Sequence, residues 1–371
     1  MTPALEIQLI AVFISMACAL PGAFLVLRRM SMMSDSITHT ILLGIVLAFL
    51  LTHDLQSPLL IVGAALIGVV TVWLTEMLEK TRLVTEDSAI GIVFSLLFSI
   101  AIILITRYTG SVHLDTDSVL LGELAFAPFN RMVVAGIDIG AKAMYISGVL
   151  LMINIILIAV FFKELKVCTF DPMLAAVLGF SPALVHYALM SLVSLTAVGA
   201  FEAVGSVLVV AFMIAPPVTA YLLTDDLKKM LILSSAFGAL NGILGYQAAV
   251  ALDVSIAGSM AVMTGLLFLA VFTFAPKRGL ISLLLKKKKQ QSEFAENTLL
   301  MHICSHEPHK QISENALHTI AARLRWDKKK LTHTICLLQK SGKLTMVNGI
   351  PAATAKGKDC CKIFVESLGT L

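Results

Sequence analysis

Asp35 and His39 stand four residues apart in an otherwise small and apolar stretch. On a helix that spacing puts both side chains on one face, one turn apart. A carboxylate and an imidazole so placed can ligate one divalent transition metal, and they suit manganese, iron and zinc alike. The same residues also read as a helix cap and an interfacial histidine. Ionisable groups inside or at the mouth of an apolar segment are costly, and they usually mark an ion path. Glu202 is an acid between two apolar runs. It reads as a third metal ligand, as a gate residue, or as an acid in the external headgroup region. Pro216 and Pro217 must interrupt helical hydrogen bonding in the run that follows. In a membrane such a break is tolerated only where protein or water covers the freed groups.

A second cluster is built for shape rather than for ligation. In 169–182 a short helix can start after Pro172, with Asp171 at its N-terminus and Gly179 at its end. The alternative is an ordinary interhelical loop. His113, Asp115 and Asp117 read as a solvated acidic loop or as a cation-attracting surface. Asp253 reads as a cap in a short turn, and His186 as a structural histidine at a helix start. His302, Cys304, His306 and His309 have the residue types of a metal site, but no second ligand group accompanies them and a closed site needs about four. The six cysteines form no CxxC pair; four lie in the polar C-terminal part and read as reduced thiols.

The elements that must position these residues follow from composition. Of 371 residues, 58% are hydrophobic and 14% charged, and the mean hydropathy is +0.90. A soluble domain carries about a quarter charged residues. Apolar runs at 5–27, 36–52, 57–77, 88–106, 144–163, 184–200, 203–223, 229–251 and 255–274 read as transmembrane helices, about eight or nine in all. The pair 184–200 and 203–223 is separated only around Phe201 and Glu202 and reads as two spans or as bent or broken helices. The first run has no basic residue before it and no small-residue cleavage site, so it reads as a span rather than a signal peptide. The segment 107–142 reads as an external loop with a short helix or re-entrant piece. With the N-terminus outside, Arg28, Arg29, Lys80, Arg82, Lys163, Lys166, Lys228, Lys229, Lys277 and Arg278 all fall on the cytoplasmic side. Arg107, Arg131 and Lys142 are the exceptions, and the C-terminus is cytoplasmic.

The net charge of +4 gathers in clusters, the densest being Lys286 to Lys289. The expected layout is a transmembrane domain at 1–276, a basic polar linker at 277–297 and a small cytoplasmic domain at 298–371. In the last, helical spacing covers 313–325 and 328–341, and Lys343–Thr354 reads as two short strands about an Asn-Gly turn. Helix, turn, helix and wing is the order of a winged helix. Lys328, Lys329 and Lys330 open its second helix and could contact phosphates of nucleic acid. The alternative is a domain that packs on a protein partner. The whole is thus expected to be an all-α polytopic membrane protein with a small winged-helix-like α/β domain. The pattern GlyxxxxGlyLys[Ser/Thr] occurs nowhere, so any ATP-driven step needs another polypeptide.

The stretch from Arg28-Arg29-Met30-Ser31 through Asp35 to His39 resembles the signature of the manganese/zinc/iron family of ABC-transporter permeases. That resemblance extends over about 5–275, including 169–182 and 200–224. It implies that Asp35 and His39 form the intramembrane metal site and that 169–182 docks onto a cytoplasmic ATPase subunit. It implies a second permease subunit, identical or paralogous, and a lipoprotein or periplasmic protein that delivers the metal. No cofactor is held permanently; the ion is cargo. The C-terminal part resembles the DNA-binding domain of diphtheria-toxin-repressor-like metalloregulators, through His318–Trp326, Leu337–Leu344 and Ala353–Cys361. Two other readings stand beside the importer: a membrane-tethered, metal-responsive transcription regulator, and a secondary transporter with a regulatory tail.

Overall fold

The computed structural model describes residues 2–54, 57–108, 124–134, 137–306, 317–347 and 349–369. The chain divides into two units, Met1–Gly279 and Leu280–Leu371. The first contains α1 Pro3–Leu27, α2 Ser31–Thr52, α3 Leu59–Lys80, α4 Glu86–Tyr108, α5 Lys142–Val160, α6 Phe162–Phe170, α7 Pro172–Val177, α8 Pro182–Leu223, α9 Leu227–Leu252 and α10 Ile256–Phe274. All but α6 and α7 are long and apolar enough to cross a membrane, which gives 8 such helices among the described residues.

The 42-residue α8 settles how eight helices relate to nine apolar runs. Straight, it would measure about 63 Å, twice the hydrocarbon core of a bilayer. It is not straight. At Gly205 the backbone takes φ 77° and ψ 167°, a region that only glycine enters without strain. His186 near its start hydrogen-bonds Arg28 just past α1. Tyr221 near its end lines a cavity with Val26, Leu27 and Arg29 at that same end of α1. Gly199, Glu202 and Ala203, around the reversal, line a cavity with Asn130 and Lys142 at the other end of the bundle. The arms 182–204 and 206–223 therefore run antiparallel, about 35 and 27 Å long, and each makes its own crossing. Gly205→Ala forces a Cβ into that region and should cost on the order of 1–3 kcal/mol. A lowered unfolding temperature in detergent, with unchanged membrane insertion, is the expected result.

Pro21 interrupts its helix where a neighbouring helix compensates. Pro21, inside α1, has no N–H for the Ala17 carbonyl. Buried Asn154 of α5 supplies the missing donor, with Nδ2 3.3 Å from that oxygen, and also donates to Thr196 of α8 at 3.0 Å. Pro217 likewise leaves the Met213 carbonyl without a helical donor. Gly22 packs directly onto that carbonyl, where any Cβ would collide. Gly44 of α2 and Gly63 of α3 face each other in the same close manner, as small residues do between membrane helices. α1 sits at the centre, with Ile10, Ile14 and Cys18 clustered with Val193, Ala197, Leu208 and Phe212 of α8.

Between α4 and α5 the structure contains a short helical piece and adds a hairpin. It has a 3-10 turn, Leu124–Phe129, and an antiparallel hairpin of β1 Arg131–Val134 and β2 Ile137–Ala141. The β-branched Val133, Val134, Ile137 and Ile139 favour strand there. His113, Asp115 and Asp117 lie outside the described residues.

The second unit contains α11 Leu280–His306, α12 Leu317–Leu324, α13 Lys328–Lys340, β3 Leu344–Val347, β4 Ile350–Ala353 and α14 Ala355–Gly369. Its own core joins Leu299, Ile303, Ile320, Leu331, Ile335, Leu338 and Leu344. The two strands pair antiparallel from Leu344–Ala353 to Val347–Ile350, and Gly349 carries φ 79° beyond the outermost pair. Asn348 of the expected turn lies outside the described residues. The polar stretch 286–297 is helical throughout, as part of α11. Lysine, glutamine and glutamate are good helix formers, and Lys289 pairs with Glu293 at i,i+4 over 3.8 Å.

Candidate functional site

Asp35 and His39 lie in the first turns of α2, with His39 Nε2 3.5 Å from Asp35 Oδ1. The turn around them is rich in hydroxyls that bond back to helix carbonyls: Ser34 to Ser31 at 2.7 Å and Thr38 to Asp35 at 2.8 Å. Their protons are thus committed to the helix carbonyls rather than to the carboxylate or the imidazole. The His39 ring rests against Phe94 and Phe98 of α4, with centroids 5.4 and 6.0 Å away. Asp35 is 44% and His39 22% exposed, so the pair opens onto the outside of the single chain. Met32, Leu47 and Leu51 of α2 are exposed as well. No group of three potential ligands gathers anywhere among the described residues. Two ligands fill only part of a transition-metal shell of about four or more. Among the described residues no further ligand completes it.

Glu202 does not join this pair. It is exposed beside the Gly205 reversal and lines a cavity of about 140 Å³ with Lys142 and Asn130. Arg28 and Arg29, which precede α2, mark the opposite end of the bundle.

The 169–182 segment forms α7. Asp171 caps its N-terminus, accepting from the Leu174 N–H at 2.9 Å, and Pro172 occupies the first position. Gly179 at φ 88° ends it. The Phe180 N–H reaches the Ala175 carbonyl and the Gly179 N–H the Ala176 carbonyl, a Schellman closure. This rigid stub presents Met173 and Val177, 83% and 84% exposed. Asp171→Ala should cost α7 about 1 kcal/mol. Faster amide exchange across 172–178, with little change in global stability, is the expected readout.

In the second unit Lys328, Lys329 and Lys330 occupy the exposed first turn of α13, and Lys330 Nζ lies 4.7 Å from the Trp326 ring centroid. His302 and Cys304 lie on α11; the His306 side chain and His309 lie outside the described residues.

Residues 3–275, which carry all of the membrane-crossing helices, match the ABC 3 transport family. The chain belongs to that family. A manganese transport system membrane protein of Bacillus subtilis, MntD, is 46% identical over 284 residues, covering 76% of this chain and 96% of that one. A zinc transport system membrane protein of Treponema pallidum, TroD, is 42% identical over 354 residues, covering 95% and 96%. That second match reaches well into the C-terminal unit. Among solved structures, PsaBC from Streptococcus pneumoniae, in complex with Fab, shares 30% identity at a TM-score of 0.64, covering 76% of this chain and 95% of that one.

Sequence reasoning passed over one cluster of this ABC 3 family chain. His186, read as merely structural, sits at the centre of a polar network. Arg28 donates Nη1 to His186 Nδ1 and Nε to Thr169 Oγ1, both at 3.2 Å. Arginine only donates, so Nδ1 accepts and the ring proton sits on Nε2, which approaches Glu76 Oε1 to 2.6 Å. Tyr187 Oη donates to Glu76 Oε2 at 2.8 Å. Burial pulls the Arg28 guanidinium below its ordinary pKa, as expected of a cation partly withdrawn from water. The bonded pairs Arg28–Thr169, Arg28–His186 and Glu76–Tyr187 lie 141, 158 and 111 positions apart along the chain, so no local pattern could have joined them.

Proposed function

We propose that this chain is the membrane permease subunit of an ABC importer that moves manganese, zinc or iron into the cell. The observation that carries the reading is the family match over residues 3–275 together with an Asp–His pair that opens onto the outer face of α2. Relatives named for manganese and zinc transport support the class of cargo. Two such subunits, face to face, would complete the ligand shell around an ion held by Asp35 and His39. A conducting site must bind well enough to admit the ion and weakly enough to release it, and a shell split between two moving subunits meets both needs. Glu202, at the opposite end, would act at the entrance, where a binding protein delivers the metal. The end that carries Arg28, Lys80, Lys228, Lys229, Lys277 and Arg278 would be cytoplasmic. There α7, with Asp171, Pro172 and Gly179, would dock onto the ATPase.

The C-terminal unit would be a cytoplasmic, winged-helix-like regulatory domain. Its helix, turn, helix and hairpin order and the exposed lysines 328–330 support that reading. Similarity to TroD through that unit favours a transporter with a tail over a tethered transcription regulator. The discriminating experiment is metal uptake in cells that express the permease with and without its ATPase. Uptake lost without the ATPase supports the importer. Uptake that persists would make the chain a secondary transporter.

A further inference from the structure

We propose that Arg28, Glu76, His186 and Tyr187 are positioning residues that transmit movement of α7 to the Asp35–His39 pair. The inference rests on the importer reading and adds the route by which the ATPase end would reach the metal. The coupling stub α7 is flanked by Thr169 before it and His186 after it, and both bond the same guanidinium. Arg28 is therefore a clamp across the two roots of α7. It also sits in the tight turn from α1 to α2, where Arg29 takes φ 63° and the Met30 N–H closes onto the Leu25 carbonyl. α2 starts at Ser31, and Asp35 lies about one turn further on. Displacing the roots of α7 must pull on the residue that fixes the entry of α2.

A second path reaches His39. Tyr187 donates to one carboxylate oxygen of Glu76 of α3, and His186 Nε2 lies against the other. Further along α3, Thr71 donates to Thr40 of α2 across 2.8 Å, in a fully buried pair. Thr40 is the neighbour of His39. The two metal-pair residues are thus held from separate sides by one network anchored at α7. Simple satisfaction of buried polar groups would not require its members to bracket α7 and grip α2 at both places.

The test uses the complete complex of permease, ATPase and binding protein in proteoliposomes, with radioactive manganese as the probe and ATP hydrolysis measured in parallel. Arg28→Lys keeps the cation but loses the rigid fork that spans Thr169 and His186. Coupling between sites commonly amounts to a factor of about 5–150. The expected result is a fall of about tenfold in ions moved per ATP, with hydrolysis rate and manganese affinity near wild type. His186→Gln keeps one acceptor and one donor and should restore the ratio that His186→Ala lowers. An unchanged ratio in Arg28→Lys, or transport and hydrolysis falling in proportion, overturns the proposal. A wild-type complex whose uptake ignores ATP would instead sink the importer reading itself.

Discussion

Val177→Asp abolishes metal uptake while the permease remains in the membrane. Val177 and Met173 project from α7 at 84% and 83% exposure, with Leu174 and Leu178 beside them at 48% and 57%. Burying a side chain of this kind on a partner contributes about 1.5–3 kcal/mol. The aspartate loses that contribution and adds the cost of burying a carboxylate, several kcal/mol more. Together they weaken the ATPase contact by about a hundredfold or more. The substitution is harmless to the permease itself, because the side chain touches solvent there. The check is co-purification of the ATPase on tagged permease, together with uptake. Wild-type levels of both would remove α7 from the coupling role.

Much of the fold was legible because an apolar solvent leaves a long and unambiguous pattern. The nine apolar runs correspond to seven single crossings and the two arms of α8. The reversal was not legible as a position: Phe201 and Glu202 looked like the break, but the chain turns at Gly205, the first glycine after them and free to take φ 77°. Asn154 was invisible for a different reason. Its role depends on a carbonyl freed by Pro21 on another helix, and no single segment records that. The hairpin at 131–141 and the helical form of 286–297 were not legible, because polarity shows exposure to water, not backbone conformation.

The site divides along the same line. Asp171, Pro172 and Gly179 were readable because capping and helix termination are local, and the structure uses each as its type dictates. The Asp35–His39 pair was readable because i,i+4 spacing decides who shares a face. The absence of a third ligand nearby, among the described residues, was not readable, nor was the distance of Glu202 from the pair's end of the bundle. The Arg28–His186–Glu76 network joins three distant segments and shows only once they are packed.

The second large effect concerns the pair itself. If Asp35 and His39 are the two ligands that the described residues offer, removing either halves their contribution to the metal. Even outer partners of a metal ligand are worth about 10–100-fold in affinity, so loss of a ligand should cost at least that. His53, an exposed histidine at the far end of the same helix, serves as the control. The measurement is uptake of radioactive manganese and zinc by cells expressing the whole transport system, with wild type, Asp35→Ala, His39→Ala and His53→Ala compared at equal membrane abundance. The account predicts uptake at background for Asp35→Ala and His39→Ala and unchanged uptake for His53→Ala. Normal uptake with Asp35 and His39 replaced would contradict it, leaving the two an i,i+4 pair within α2 that has no part in transport.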